Sequence, residues 1–146
     1  MGSCELCENA GGTALWASPV CRVVRVDDPD YPGFCRVIWQ AHVREMTDLP
    51  AAARHYLMDV VLAVESVVRQ YFAPDKINLA SFGNMVPHVH WHIIPRWHDD
   101  RHFPQPVWGS VQRDGHRQHP EVDNAVLCRA LATLLDPIED QRRKTS

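Results

Sequence analysis

Apolar residues are spaced along the chain in ways that predict two strands followed by a long helix. Residues 20–26 and 34–39 are rich in β-branched and aromatic side chains, which is typical of strands. The stretch between them is dense in Asp, Pro and Gly, so it predicts a connecting turn and an antiparallel pair. From residue 50 to 71 the apolar positions recur at steps of three or four, which predicts an amphipathic helix.

The second half of the chain repeats this order. Residues 77–82 and 88–96 predict two further strands, and residues 98–120 form a polar, proline-bearing stretch that predicts a long functional loop. A shorter helix is expected over 121–135, stopped by Pro137. The order strand, strand, helix, strand, strand, helix predicts an α+β domain whose helices pack on a mostly antiparallel sheet.

Composition limits the classes of protein that fit. With 146 residues, 45% hydrophobic and 23% charged, one globular domain over 1–146 is expected. The net charge of −3 argues against a broad nucleic-acid or anionic-membrane surface, yet it allows a local phosphate pocket. No apolar run reaches the roughly 18 residues of a membrane span, and the first residues lack the features of a secretory signal. We therefore expect a cytoplasmic protein without nucleic-acid or membrane partners.

Three histidines alternate with apolar residues in the fourth predicted strand. His88, His90 and His92 would share one face of a strand, because alternate side chains point the same way. A chance group of surface histidines would explain this pattern poorly. A metal site built from all three is a second alternative, since imidazoles commonly bind zinc in threes.

The run from His88 to Ile94 resembles the signature of the histidine-triad (HIT) family, His-φ-His-φ-His-φ-φ with φ apolar. Other segments resemble landmarks of that family and occur in the family's order. The similarity covers about residues 4–100 of the domain, and 101–146 form its C-terminal loop and helix. These landmarks are Tyr31-Pro32-Gly33-Phe34, His42-Val43, Asp48-Leu49, Gly83-Asn84 and Pro95-Arg96.

The resemblance implies a HIT-like fold and a nucleotide hydrolase or nucleotidyl transferase. His90 would attack the α-phosphate of a nucleotide, and water would hydrolyse the resulting nucleotidyl-histidine. By the same resemblance, His92 would hydrogen-bond the phosphate, and backbone groups near His88 would orient the second nitrogen of His90. Asn84, beside Gly83, would donate to phosphoryl oxygens, with a turn residue as the alternative interpretation.

Further substrate contacts also come from the resemblance. Asp28 would bind the ribose hydroxyls, with Asp27 as the alternative, yet aspartates in such loops are commonly turn formers. Asn78 would point toward the phosphates, unless it is a strand residue that bonds backbone. Trp97 and Trp108 could wall the pocket or lie in a subunit contact. Arg96, Arg101 and Arg113 are candidate phosphate ligands on charge grounds alone.

One residue departs from the pattern of the phosphoramidase-like branch. Met85 stands where that branch places a serine that protonates the leaving group. This puts phosphoramidate cleavage in doubt and favours dinucleoside polyphosphates of the diadenosine tetraphosphate kind. His92 argues against the transferase branch, whose motif reads His-Pro-His. A nucleotide-binding regulatory module with little turnover is the alternative, and a zinc-stabilised interaction module is a third possibility.

The five cysteines are odd in number, which favours reduced thiols. Cys4 and Cys7 have the spacing of a zinc knuckle but supply only half of a tetrahedral site. The resemblance implies that His42 and His88 complete a structural Zn²⁺ site, the alternative being free thiols at a frayed terminus. No organic cofactor is expected. The resemblance also implies an adenine nucleotide substrate and a homodimer.

Overall fold

The computed structural model describes residues 3–115 and 119–145, so residues 116–118 of the predicted long loop lie outside the described part. Within these ranges a short 3-10 helix at Met46–Asp48 precedes the first long helix. The helices and strands, in chain order, are α1 (Glu5–Glu8), β1 (Thr13–Ala17), β2 (Cys21–Arg25), β3 (Cys35–Trp39), α2 (Ala51–Phe72), β4 (Lys76–Ala80), β5 (His90–Arg96) and α3 (Asn124–Thr145).

The strands form one five-stranded sheet in the order β1-β2-β3-β5-β4, and every neighbouring pair is antiparallel. Val23, Val37 and Ile93 are completely buried on one face of this sheet, in the same apolar core as Leu57 and Val60 of α2. The opposite face carries the alternate residues of β5, His90 and His92. The predicted α+β architecture is therefore confirmed, and the histidines lie on the face away from α2.

Helix α2 follows its predicted range to within one residue at each end. Pro50 is its N-cap, where a missing N–H costs nothing, and Ala73 ends it in the left-handed conformation with φ of 46°. The apolar stripe seen in the sequence is the buried face, which includes Tyr56, Val60 and Val64. The stripe therefore covers the sheet.

The predicted strands needed three corrections. Strand β1 was missed because it is a short edge strand in which only Leu15 is buried. The strand predicted over 77–82 is Lys76–Ala80, and the Ser81 hydroxyl instead donates to the carbonyl of His90. Strand β5 begins at His90, not at 88, because the His88 N–H donates locally to the Val86 carbonyl.

The prediction that Pro137 stops the last helix was wrong. Helix α3 begins at Asn124 and continues through Pro137 to Thr145, although proline removes one helical hydrogen bond. A tertiary contact beyond the proline holds the helix, because Glu139 accepts from the Tyr56 hydroxyl of α2 at 2.6 Å. Within α3, Arg142 Nε donates to the same carboxylate at 2.9 Å. None of the helices in the described ranges has the length and apolar character needed to cross a bilayer.

A buried ion pair organises the segment after β5. Arg96 and Asp100 are 2% and 3% exposed, and Arg96 Nε donates to Asp100 Oδ2 at 2.8 Å. The backbone N–H groups of Trp97, His102 and Phe103 also donate to this carboxylate. Burial favours the neutral acid, but these donors outweigh burial and lower the pKa of Asp100 to about 2.

Asp100→Asn should lower the free energy of unfolding by about 3 kcal/mol at pH 7, because it leaves the Arg96 charge buried without its partner. The native pKa of Asp100 lies below its ordinary value of 3.8, so this stabilisation is complete above that value and disappears as pH falls toward 2. Urea unfolding at pH 7 and pH 3 measures both effects. Asp114→Asn, in the exposed part of the same segment, is the control; equal midpoints for Asp100→Asn and wild type would contradict the prediction.

Candidate active site

The orientation of His90 is set by a backbone carbonyl. His90 is 8% exposed, and its Nδ1 lies 2.6 Å from the carbonyl oxygen of His88. A carbonyl can only accept, so Nδ1 carries a hydrogen, and in the neutral imidazole the lone pair is then on Nε2. The ring of His90 is thereby held as the tautomer whose Nε2 can act as a nucleophile.

His88 is buried completely and connects three parts of the molecule. Its Nε2 lies 2.5 Å from the carbonyl oxygen of Trp39 and must donate to it, which leaves a lone pair on Nδ1. That Nδ1 is 3.5 Å from the sulfurs of both Cys4 and Cys7 and 3.2 Å from His42 Nδ1. Burial lowers the pKa of His88, which keeps the imidazole in the neutral form that metals require.

The residues Cys4, Cys7, His42 and His88 have the donor set and spacing of a tetrahedral zinc site. Their ligand atoms all lie within 4.8 Å of one another. Zinc bonds of about 2.0 Å to nitrogen and about 2.3 Å to sulfur would separate two nitrogens by about 3.3 Å and nitrogen from sulfur by about 3.6 Å. The shortest separations here are 3.2 Å and 3.4–3.5 Å, so the cluster fits the ion.

His92 is the centre of an aromatic cluster. Its ring centroid lies 5.0 Å from that of Trp108, 5.7 Å from Phe34 and 6.4 Å from Phe82. Burial, followed by repulsion from His90 and Arg36, lowers the pKa of His92 to about 4. The ring is therefore a neutral hydrogen-bonding group at pH 7. Phe34 and Phe82 were not expected beside the triad, since their sequence signals are those of ordinary strand residues.

Arg36 is a second residue that sequence reasoning missed. It is the direct cross-strand partner of His92 in the β3–β5 ladder. Its Nη1 donates to the carbonyl of Gly11 at 2.9 Å, whereas its buried Nε has no hydrogen-bond partner among the described residues. The same holds for the buried Nδ1 of His92. Two buried nitrogens on neighbouring residues of this face thus have no hydrogen-bond partner among the described residues.

The three arginines proposed on charge grounds all bond within the protein. Arg96 pairs with Asp100, as described above. Arg101 Nη1 lies 3.4 Å from Asp30 Oδ2, and Arg113 donates to the backbone carbonyls of Asp100 and Phe103. These guanidinium groups hold the segment after β5 in place, so the structure gives no reason to assign them to phosphate.

The remaining expected contacts lie in loops and on the edge strand. Gly83 and Asn84 belong to the connection between β4 and β5, and exposed Asn84 bonds to none of the described residues. Asn78 accepts from Arg96 Nη1 at 2.8 Å, so only its amide nitrogen remains for a substrate. Asp28 accepts a hydrogen bond from the N–H of Asp30 at 3.0 Å, as a turn-forming aspartate does. Asp27 and Asp28 line a cleft of about 350 Å³, and no histidine of the triad lines that cleft.

Comparison with protein families places this site in a known group. The model of the HIT domain matches residues 9–99, which include the triad. The chain belongs to the HIT family. HIT proteins form a superfamily of nucleotide-binding proteins that includes hydrolases and transferases. Comparison with curated proteins found no match.

Solved HIT structures share the whole architecture. A histidine triad protein from Marinobacter aquaeolei VT8 is 29% identical, with a TM-score of 0.68 over 88% of this chain and 92% of that one. A histidine triad protein from Bradyrhizobium japonicum is 27% identical, with a TM-score of 0.67 over 86% of this chain and 92% of that one. The similarity thus extends beyond the triad to nearly the full length of both relatives.

His92 should remain neutral through the physiological range. We expect its ¹⁵N chemical shifts to show no titration midpoint between pH 5 and pH 8, because burial and neighbouring positive charge lower its pKa to about 4. The signals are assigned by their loss in His92→Asn. Since the native pKa is below the ordinary 6.5, stability should fall as pH decreases from about 6.5 toward 4. A midpoint above pH 6 would show that the imidazole is charged in the native site.

Proposed function

We propose that this HIT protein is a nucleotide hydrolase or nucleotidyl transferase that cleaves at the α-phosphate of a nucleoside polyphosphate. The observation that carries the proposal is the contact between His90 Nδ1 and the His88 carbonyl, which in the neutral imidazole places the lone pair on Nε2. A neutral imidazole held in one orientation needs no proton removal before it attacks phosphorus.

The reaction proceeds in two displacements. His90 Nε2 attacks the α-phosphorus, a P–N bond forms, and the P–O bond to the remaining phosphate chain breaks with its electron pair on the leaving oxygen. The imidazole becomes cationic in the intermediate, and its Nδ1–H bond to the His88 carbonyl becomes charge-assisted. Water then attacks phosphorus and gives up a proton to solvent, while the P–N bond breaks with its electron pair on Nε2. This releases the nucleoside monophosphate and restores neutral His90.

Neighbouring groups bind the phosphate and favour a phosphate leaving group. The neutral His92 is close to His90, with ring centroids 5.0 Å apart, and it hydrogen-bonds the phosphoryl oxygens. Exposed Asn84, beside Gly83, supplies further N–H donors in this proposal. Met85 is 95% exposed and has no proton to give an amine leaving group, which supports a dinucleoside polyphosphate of the diadenosine tetraphosphate kind.

The proposal also includes two substrate contacts outside the triad. Asn78 donates its amide N–H groups to the phosphates, since only its oxygen is bonded to Arg96. Asp28 binds the ribose hydroxyls through the lone pairs that are not used by the N–H of Asp30. An adenine base, a homodimer and a cytoplasmic location remain predictions. No organic cofactor is invoked.

Cys4, Cys7, His42 and His88 hold a structural Zn²⁺ in this proposal. When bound, the ion supplies a closed cross-link, since four protein ligands leave no position for water. His88 belongs to this site through Nδ1 and to the nucleophile through its carbonyl oxygen. The cysteines therefore fix the N-terminal segment against the sheet and stiffen the group that orients His90.

His90→Ala should abolish turnover. We expect the rate of AMP release from diadenosine tetraphosphate to fall by about 1,000-fold or more, because the covalent route is lost. The assay panel also contains diadenosine triphosphate, an adenosine phosphoramidate and ADP, and nucleotide products are separated by chromatography. A single-turnover reaction of wild type is quenched in alkaline denaturant, because a P–N bond to histidine hydrolyses in acid. Mass spectrometry of the digest should then detect adenylate on the peptide that includes residue 90.

His55→Ala, an exposed histidine of α2, is the matched control and should retain full activity. Faster cleavage of the phosphoramidate than of diadenosine tetraphosphate would contradict the assigned substrate class. If wild type binds nucleotides but releases no product from any member of the panel, the regulatory binding module replaces the enzyme.

The zinc assignment predicts one ion per chain. Elemental analysis of purified wild type should give a stoichiometry near one, and Cys7→Ser should bring it close to zero because a thiolate ligand is lost. The thermal midpoint of Cys7→Ser should also fall by several degrees, since an ion that binds only the native state stabilises it. Cys128→Ser, which removes a thiol outside the cluster, should change neither value. Zinc retained in Cys7→Ser would contradict the site.

A further inference from the structure

Two buried nitrogens without partners among the described residues belong to cross-strand neighbours on the histidine face of the sheet. Arg36 and His92 are paired directly across β3 and β5, so their Cβ atoms are about 5 Å apart and their side chains share one face. Arg36 Nε and His92 Nδ1 are both shielded from solvent, and neither has a hydrogen-bond partner among the described residues. A buried N–H without an acceptor destabilises the native state, more so when the group is charged.

A neighbouring arginine shows what a structural role looks like on this face. Arg22 of β2 shares the face through its pairing with Ile38, and its nitrogens donate to four acceptors. Three of those bonds go to backbone carbonyls of residues 6–10 and secure the N-terminal segment to the sheet. Arg36 makes one such bond, from Nη1 to the Gly11 carbonyl, which fixes the guanidinium but leaves Nε unused. The contacts that stabilise the fold therefore use only part of the hydrogen-bonding capacity of Arg36.

The charge of Arg36 also differs from that of the histidines beside it. His92 is neutral at pH 7, as shown above, whereas a guanidinium stays charged at that pH. Glu5 of α1 is near enough to stabilise the Arg36 cation, although no hydrogen bond joins them. Arg36 thus brings to this part of the site a permanent positive charge and a directed N–H, both suited to an acceptor on an anionic ligand.

We propose that Arg36 is a substrate-binding residue, which donates from Nε to an acceptor atom of the bound nucleotide beside His92. The inference rests on the proposed function, since it takes the ligand of His90 and His92 to be a nucleotide. The acceptor is either a phosphate oxygen or an acceptor atom of the base, because both have the same hydrogen-bonding chemistry. The triad pattern in the sequence gives no indication of this contact.

The test is equilibrium binding, measured by calorimetry, of three probes that do not react. AMP carries both candidate acceptors, adenosine lacks the phosphate, and ribose 5-phosphate lacks the base. The proteins are wild type, Arg36→Met, Arg36→Lys and the control Arg69→Met, which removes one positive charge from the exposed side of α2. Turnover and thermal midpoints are recorded for the same four preparations.

We expect Arg36→Met to weaken AMP binding by about 10- to 100-fold, as for a lost hydrogen bond from a charged group. Arg69→Met should change it by less than about twofold. If the binding of ribose 5-phosphate weakens as much as that of AMP, and the binding of adenosine does not change, the acceptor is a phosphate oxygen. Arg36→Lys should then recover part of the affinity. If the binding of adenosine weakens and the binding of ribose 5-phosphate does not change, the acceptor is an atom of the base. Either result supports the proposal.

Unchanged AMP binding in Arg36→Met, with wild type binding AMP normally, overturns the inference and leaves the proposed function intact. Equal weakening of all three probes, together with a lower thermal midpoint, also overturns it, because the bond to Gly11 would then be the whole role of Arg36. Wild type that neither binds AMP nor turns over any nucleotide would instead refute the proposed function itself.

Discussion

The hydrogen bond from His90 Nδ1 to the His88 carbonyl is the contact on which the candidate active site depends. It fixes both the orientation of the His90 ring and the tautomer of its neutral form. His88 can provide this acceptor because its own ring is immobilised, by the Trp39 carbonyl on one side and the cluster of Cys4, Cys7 and His42 on the other. One buried residue thus joins the sheet, the N-terminal segment and the reactive nitrogen.

The opposite side of the site depends on the buried pair of Arg96 and Asp100. Six hydrogen bonds to the Asp100 carboxylate tie the end of β5 to the residues that follow, and they include bonds from Tyr31 and from three backbone N–H groups. Because the start of this segment is fixed, Trp108 contacts the ring of His92 even though its own side chain is 54% exposed. An irregular segment can therefore contribute to the wall of the site with little secondary structure of its own.

The sequence predicted those features that repeat locally. The stripe of α2 and the alternation of His90 and His92 are periodic, so each could be placed on a face before any contact was known. Features that depend on distant residues were missed or misplaced. Helix α3 passes Pro137 because Tyr56 of α2 donates to Glu139, and no local signal reports that bond. Arg36 and Phe34 meet His92 only through the pairing of β3 with β5, which a single strand cannot reveal.

The division of charge within the site follows from the chemistry proposed for His90. Its imidazole must be neutral before attack and becomes cationic in the intermediate. A protonated His92, with its ring centroid 5.0 Å away, would oppose that developing charge, and burial prevents the protonation. An anionic substrate nevertheless needs a cation nearby, and Arg36 meets that need from the adjacent strand. In the proposed mechanism, His90 and its neutral neighbour on β5, with the permanent charge on β3, would bind a polyanion without impairing the group that attacks it.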